Sequence, residues 1–392
     1  MRVLHVIPSI SPLRGGPSQV VLDIVKALRA NNLDIEIATT NDNGDSLLNV
    51  PLHRCVEYQQ VPVWFFSRFS PTIKAVREYA FSWELMVWLW HNICQYDLLH
   101  IHAIFSYAST IAMAIARCKK VPYILIPHGL LSEWSLQQNA CKKQIYLRLI
   151  EKENLNCSQA IHLTSQLEQQ EVALLGLSAP SFVLPLGIFQ PSLISNARYL
   201  LRQHLNLPTD EPVILFLSRL HPKKGLEYLI PALGKLTHHR FTFVLAGSGS
   251  KEYVAEIESL LISTGIRSRT HFAGFVAGET KNLFLQGSDL FALTSHAENF
   301  GLSVLEALAV GVPVLLTSGV ALASIVQQHQ LGYIAELDVL AIASALEHYL
   351  SHPQAAKEMG LRAHQMIIEQ YTWDRIAARL IEIYRVMLLK LH

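Results

Sequence analysis

Short apolar runs alternate with longer, helix-like segments from one end of the chain to the other. Arg2–Ile7, Asp34–Thr40, Asp97–His102 and Val121–Pro127 read as strands, and Pro17–Ala30, Pro71–Gln95, Ser106–Cys118 and Leu136–Leu155 as helices. Ala160–Leu163 and Ser181–Leu184 add two further strands. Such alternation predicts right-handed crossovers and a parallel sheet covered by helices on both faces.

The pattern restarts in the second half. Pro212–Leu217, Phe241–Ala246, Thr270–Phe272, Asp289–Leu293 and Pro313–Leu316 are strand candidates, with helices beginning near Gly225, Ser250, Glu279 and Gly301. Between the halves, Pro185-Leu186-Gly187-Ile188-Phe189-Gln190-Pro191 is rich in helix breakers and reads as a hinge. The organisation expected is an N-terminal domain over 1–190, a second over 191–372, and a final helix over 373–392 that packs back across either domain. The fold class is α/β: two doubly wound, Rossmann-like domains facing across a cleft, with ligands outside the carboxyl ends of the strands.

Composition narrows the function. Of 392 residues, 51% are hydrophobic and 16% charged, too apolar for disorder and ample for sizeable cores. The net charge of +1 gives no basic excess, so nucleic acid is not an expected partner. Trp83 to Trp90 is far shorter than the ~20 residues of a spanning helix, and MRVLHVIPSI does not resemble a secretory leader. Five scattered cysteines without CxxC spacing predict a reduced, cytoplasmic protein with no cysteine metal site.

The richest stretch is Leu293 to Ala307. Glu298 sits in a loop after a strand, and a helix begins about Gly301, so free backbone amides of Phe300, Gly301, Leu302 and Ser303 form an anion site. Glu306 follows on the helix, and a carboxylate takes two parallel hydrogen bonds from a sugar or ribose diol. The alternative is that both glutamates only complement the helix dipole. A second cluster tilts the balance: Arg219 and Lys224, after the first strand of the second half, are expected to converge on one phosphate pair and stabilise a departing diphosphate. Gly247, in Gly247-Ser248-Gly249, permits close backbone approach to a ligand.

In the first half, Gly15-Gly16 opens a helix after the first strand, and His128-Gly129 ends the strand Val121–Pro127. His100 and His102 alternate on one strand face, one expected to be packed and the other near the cleft mouth. Neither GxGxxG nor GxxxxGK[ST] is present, which argues against dehydrogenases and P-loop NTPases. DxD and HExxH are also missing, so no metal is expected and fixed cations are left to neutralise phosphate.

These motifs, in this order and over nearly the whole chain, resemble the family 4 retaining glycosyltransferases of the GT-B fold. Glu298 and Glu306, within ENFGLSVLEALAVGVPVL, match the E-x7-E motif. Arg219 and Lys224 resemble the diphosphate-binding pair, Gly15-Gly16 the first-domain glycine loop, and His128-Gly129 the cleft histidine. The resemblance implies that Glu298 and the amides of Asn299, Phe300 and Gly301 hold the donor sugar. It further implies that Glu306 binds ribose, Leu302-Ser303 bind phosphates, Phe275-Val276 frame the base and His128 sits near the reacting carbon. Same-face attack, with the leaving diphosphate taking the acceptor proton, would require no protein nucleophile and no cofactor beyond a nucleotide sugar, a UDP- or GDP-sugar. Two departures from the family pattern are Asn299, where Gly is common, and Pro185-Leu186-Gly187 in place of Pro-Asn-Gly.

The expected function is transfer of a hexose to a glycan or lipid-linked acceptor in polysaccharide biosynthesis. A sugar-nucleotide epimerase on the same fold and a non-catalytic sugar-nucleotide binder are the competing classes. On the acceptor side, Val61 to Phe69 reads as an aromatic loop followed by a helix bearing Trp83, Trp88 and Trp90. With Lys142, Lys143 and Arg148 these residues form either a patch docking on the inner face of the membrane or part of the domain core.

Overall fold

A computed structural model describes residues 1–73 and 77–389. The chain divides into two compact units: Met1–Gly187 together with the helix that starts at Trp373, and Ile188–Thr372. The division falls after Gly187 rather than at residue 190, and the last helix, Trp373–Leu389, belongs to the first unit, packing on the Gly16–Ala30 helix.

The first unit is built on β1 (Arg2–Val6), β2 (Asp34–Thr40), a small hairpin of β3 (Asp42–Asn43) and β4 (Ser46–Leu47), β5 (Cys55–Tyr58), β6 (Val61–Phe66), β7 (Leu98–His102), β8 (Tyr123–Ile126), β9 (Ala160–Leu163) and β10 (Ser181–Val183). Its main sheet runs β10-β9-β8-β7-β1-β2-β6-β5, parallel throughout except for the β5–β6 edge pair. Central strands β1, β7, β8 and β9 are buried almost end to end, as a parallel sheet covered on both faces requires.

Three local expectations are corrected here. Val61–Phe66 is a strand, not a loop: Val61, Val63 and Phe65 alternate into the core, and Gln59 and Gln60, both at positive φ (49° and 67°), close a tight two-residue hairpin to β5. Pro62 is tolerated because it sits near the start of β6, before the ladder with β2 begins at Val63. The helix expected over 71–95 is interrupted: residues 77–78 are helical, a turn follows at 79–80, and a new helix runs over Trp83–Asn92 with a 3-10 turn at Ile93–Gln95, started by Ser82 Oγ accepting from the Leu85 amide. Residues 74–76 of that expectation lie outside the described residues. The helix expected over 136–155 is segmented into Glu133–Gln137, Ala140–Tyr146 and Lys152–Asn156, with a π turn at Leu147–Glu151 and Asn139 at φ 56°.

The second unit holds β11 (Val213–Leu217), β12 (Thr242–Ala246), β13 (Thr270–Gly274), β14 (Leu290–Leu293), β15 (Val314–Thr317) and β16 (Gly332–Ala335) in one parallel sheet, order β13-β12-β11-β14-β15-β16. Counted within the unit this is 3-2-1-4-5-6, the doubly wound order whose direction of winding reverses between β11 and β14. Helices begin at Leu226, Lys251, Gly278 and Leu302, within a residue of the positions read from sequence. Among the described residues no helix is long and apolar enough to cross a membrane.

Candidate functional site

In the second unit the reversal point gathers the chemistry. The loop after β11 carries Arg219 and Lys224, and the loop after β14 carries Glu298. Gly225 lets them meet: at φ 67°, its missing Cβ would lie 1.9 Å from the Thr294 carbonyl oxygen. Thr294 Oγ1 donates to the Gly225 carbonyl (3.0 Å), and the His296 amide donates to that of Lys223 (2.9 Å). Across this junction the Lys224 ammonium pairs with the Glu298 carboxylate, both side chains largely buried. Glu298 is fixed from behind as well, its amide donating to Gly319 (2.9 Å) and its carbonyl accepting from Ala321 (3.0 Å).

Arg219 is exposed and pairs with no acidic group among the described residues. The ammonium of Lys224, by contrast, is engaged by Glu298. The local field is nevertheless cationic: burial pushes the His221 imidazole pKa down, and Arg219, Lys224 and Lys223 push it further.

The helix Leu302–Ala309 is entered through Gly301 at φ 90° with no side-chain cap, so its first amides are available to an anion. Asn299, Leu302 and Ser303 are half-buried at this end, whereas the Phe300 side chain is in the core and offers only its backbone. Glu306, on the same helix, is paired through Oε1 with Lys281 Nζ (2.6 Å) from the Gly278–Gly287 helix. Beside β11, Gly247 (φ 147°) crosses so near Ser218 that a Cβ would stand 1.8 Å from its carbonyl oxygen. Phe275 is exposed and Val276 buried after β13.

In the first unit, Gly15 (φ 83°) and Gly16 open the first helix after β1. Arg14 beside them is forked on Asp42 (2.6 and 2.8 Å), which the buried Arg68 grips from the other side. Burial raises the Asp42 carboxyl pKa, but the two guanidinium groups outweigh it and hold the group below the usual range. His128, at φ 52°, follows β8, and the Gly129 amide donates to Glu168 Oε1 (2.8 Å). Ala103 and Phe105 after β7 are also at positive φ, 66° and 57°.

His100 and His102 are both fully buried, so the expectation that one lies near a mouth is corrected. They belong to a cluster with His5, His128 and His162 whose sheet partners bring the rings together. The nitrogens of His5, His100 and His102 lie within 4.8 Å of one another, as do ligand atoms of His238, His239 and Glu347 on the surface of the second unit. Residues that sequence reasoning missed are Lys281, Gly225, Asp42, Glu168 and His5. Each acts across a long sequence separation.

Comparison with known proteins is consistent along both units. Residues 15–187 match the "Glycosyl transferase 4-like domain" and residues 198–366 the "Glycosyl transferases group 1" family. An uncharacterized glycosyltransferase of Methanocaldococcus jannaschii is 33% identical over 188 residues, 47% of this chain and 47% of that one. The chain thus spans about half the length of the first curated relatives it matches. Among solved structures, sucrose-phosphate synthase from Thermosynechococcus elongatus superposes with a TM-score of 0.79 at 20% identity, covering 100% of both chains. Anabaena HepE in complex with UDP-glucose does so with a TM-score of 0.78 at 21% identity, covering 98% of this chain and 100% of that one. With both units matched in this order, the chain belongs to the family 4 type glycosyltransferases of the GT-B fold.

Proposed function

We propose that this chain is a retaining glycosyltransferase that moves a hexose from a UDP- or GDP-sugar to a glycan or lipid-linked acceptor, without a metal. The observation that carries this reading is the junction of Lys224 and Glu298 at the strand-order reversal, beside exposed Arg219 and the uncapped helix start at Gly301. Arg219 and Lys224 stabilise charge as it builds on the departing diphosphate, which is where such cations gain most. Glu298 and the amides of Asn299, Phe300 and Gly301 hold the sugar hydroxyls, Glu306 the ribose, and Leu302-Ser303 the phosphates. Phe275 and Val276 frame the base, and the backbone of Gly247 lies on the diphosphate side.

The acceptor side is assigned to the first unit, with Gly15, Gly16 and His128 as its candidate residues. Trp83, Trp90 and Leu149 are exposed, whereas Trp88 packs on Trp64 and Phe66 and Lys143 turns inward to Ser135. The exposed members favour an acceptor carried on lipid; binding to anionic vesicles checks that clause alone.

The test is release of nucleoside diphosphate from a panel of UDP-, GDP- and ADP-sugars by the wild type and Glu298→Gln. Slow hydrolysis of one donor, lost in the variant, supports the transferase. An epimerised nucleotide sugar among the products, or tight binding with no turnover when acceptor glycans are added, overturns it.

A further inference from the structure

Seven groups in the first unit form one continuous hydrogen-bonded chain. His162 Nε2 lies 2.8 Å from the Leu184 carbonyl oxygen, and His162 Nδ1 lies 3.5 Å from His100 Nε2. His100 Nδ1 is 2.7 Å from the Tyr384 hydroxyl, which is 3.4 Å from His5 Nε2. His5 Nδ1 is 2.8 Å from His102 Nε2, and His102 Nδ1 is 3.0 Å from His128 Nε2.

The direction of every bond follows from one end. A backbone carbonyl only accepts, so His162 must donate from Nε2. These imidazoles are neutral: burial depresses them all, with neighbouring rings adding to the effect in four of the five, taking His5 and His128 to about 3 and His162 to about 4. A neutral ring carries one N–H, so His162 Nδ1 accepts and His100 Nε2 donates to it. His100 Nδ1 then accepts the Tyr384 hydroxyl proton, and the Tyr384 oxygen accepts from His5 Nε2. The same alternation continues through His102 to His128.

We propose that this chain of fixed polarity, anchored at Leu184 and passing through Tyr384 of the last helix, locks His128 as the Nε2–H tautomer and leaves its Nδ1 a bare acceptor for a ligand hydroxyl. Nδ1 has no partner among the described residues, and the ring is half-buried. His128 therefore accepts a hydrogen bond and donates no proton to substrate, and Tyr384 is a positioning residue. The assignment to a sugar hydroxyl rests on the transferase reading; the tautomer does not.

The experiment is long-range proton–nitrogen correlation NMR on the full chain with 15N-labelled histidine at neutral pH, with His128 assigned by its loss in His128→Gln. The wild type is expected to show His128 protonated at Nε2 alone. Tyr384→Phe cuts the chain, and His5, His102 and His128 are expected to reverse to Nδ1–H. A lone pair facing the phenyl ring is less costly than an orphaned N–H. A wild-type His128 that is cationic or protonated at Nδ1, or a Tyr384→Phe protein that keeps Nε2–H, overturns the proposal. So does one equivalent of Zn2+ shifting His5, His100 and His102 together, which would make the cluster a metal site. Expected tautomers in a protein that releases no diphosphate would sink the transferase reading and leave the relay standing.

Discussion

The Lys224 ammonium and the Glu298 carboxylate join the loops on either side of the strand-order reversal, with side-chain exposures of only 11% and 20%. Removing one partner strands the other in a poorly solvated place. Lys224→Met and Glu298→Gln are each expected to lose about 1–3 kcal/mol of stability, less than for a fully buried pair. The double variant should recover most of that loss while remaining inactive. Denaturant unfolding and diphosphate release, run as a double-mutant cycle, check both halves; additive stability losses would show the pair is not coupled.

Gly225 and Gly16 should respond in opposite ways. A Cβ at Gly225 meets the Thr294 carbonyl at 1.9 Å on a backbone at φ 67°, so Gly225→Ala is expected to cost about 2 kcal/mol or more. At Gly16 a Cβ meets nothing within 4 Å, and Gly16→Ala should change stability by no more than about 0.5 kcal/mol. If a ligand approaches Gly16, the same variant weakens binding about fivefold. Paired melting curves and KM values separate the two cases.

The buried histidines make the fold acid-sensitive. Their pKa values are lower in the folded than in the unfolded chain, about 3 for His5 and His128 and about 4 for His162. Between those values and about 6.5 the unfolded chain binds more protons, so stability is full above pH ~6.5 and falls as pH drops. Each such histidine contributes a slope of about 1.4 kcal/mol per pH unit in that window. Urea midpoints at pH ~7 and ~5 measure it. A flat profile would show that the rings are solvated.

Glu306 touches Lys281 at 2.6 Å, and both side chains are near one-third exposed, at 31% and 30%. Glu306→Ala should therefore barely alter stability. Donor binding is expected to weaken about tenfold through lost ribose contacts, and Lys281→Met should weaken it less. Calorimetry with UDP and GDP reads this directly. Unchanged affinity for both would remove Glu306 from the nucleotide site.

Much of this was legible because it is local. In β11 and β14, continuous apolar runs ending in Ser218 and Thr294 announce buried parallel strands and the loops that follow them. The E-x7-E spacing places Glu298 and Glu306 around one helix start without any knowledge of the sheet. The pairing of Lys281 with Glu306 was not legible, since it depends on two helices meeting. Nor was the role of Asp42, which is set by Arg14 and Arg68 arriving from either side. The histidine chain left a trace: His5, His100, His102 and His162 each interrupt an otherwise apolar strand. Strand order alone decides that these rings touch, and Tyr384, hundreds of residues away in sequence, closes the chain. Pro62 masked the alternation of β6, so the aromatic run around it reads as a loop in the sequence.

The chain leaves the first unit after Gly187 and returns to it at Trp373. The hydroxyl that completes the polar core of the first unit is thus carried by a segment synthesised only after the whole second unit. The inserted second unit is finished earlier, and folds from an uninterrupted stretch, while the first waits with its histidine-lined sheet lacking a cover. A nonsense codon between Thr372 and Tyr384 would spare the insert and open the core of the half made first.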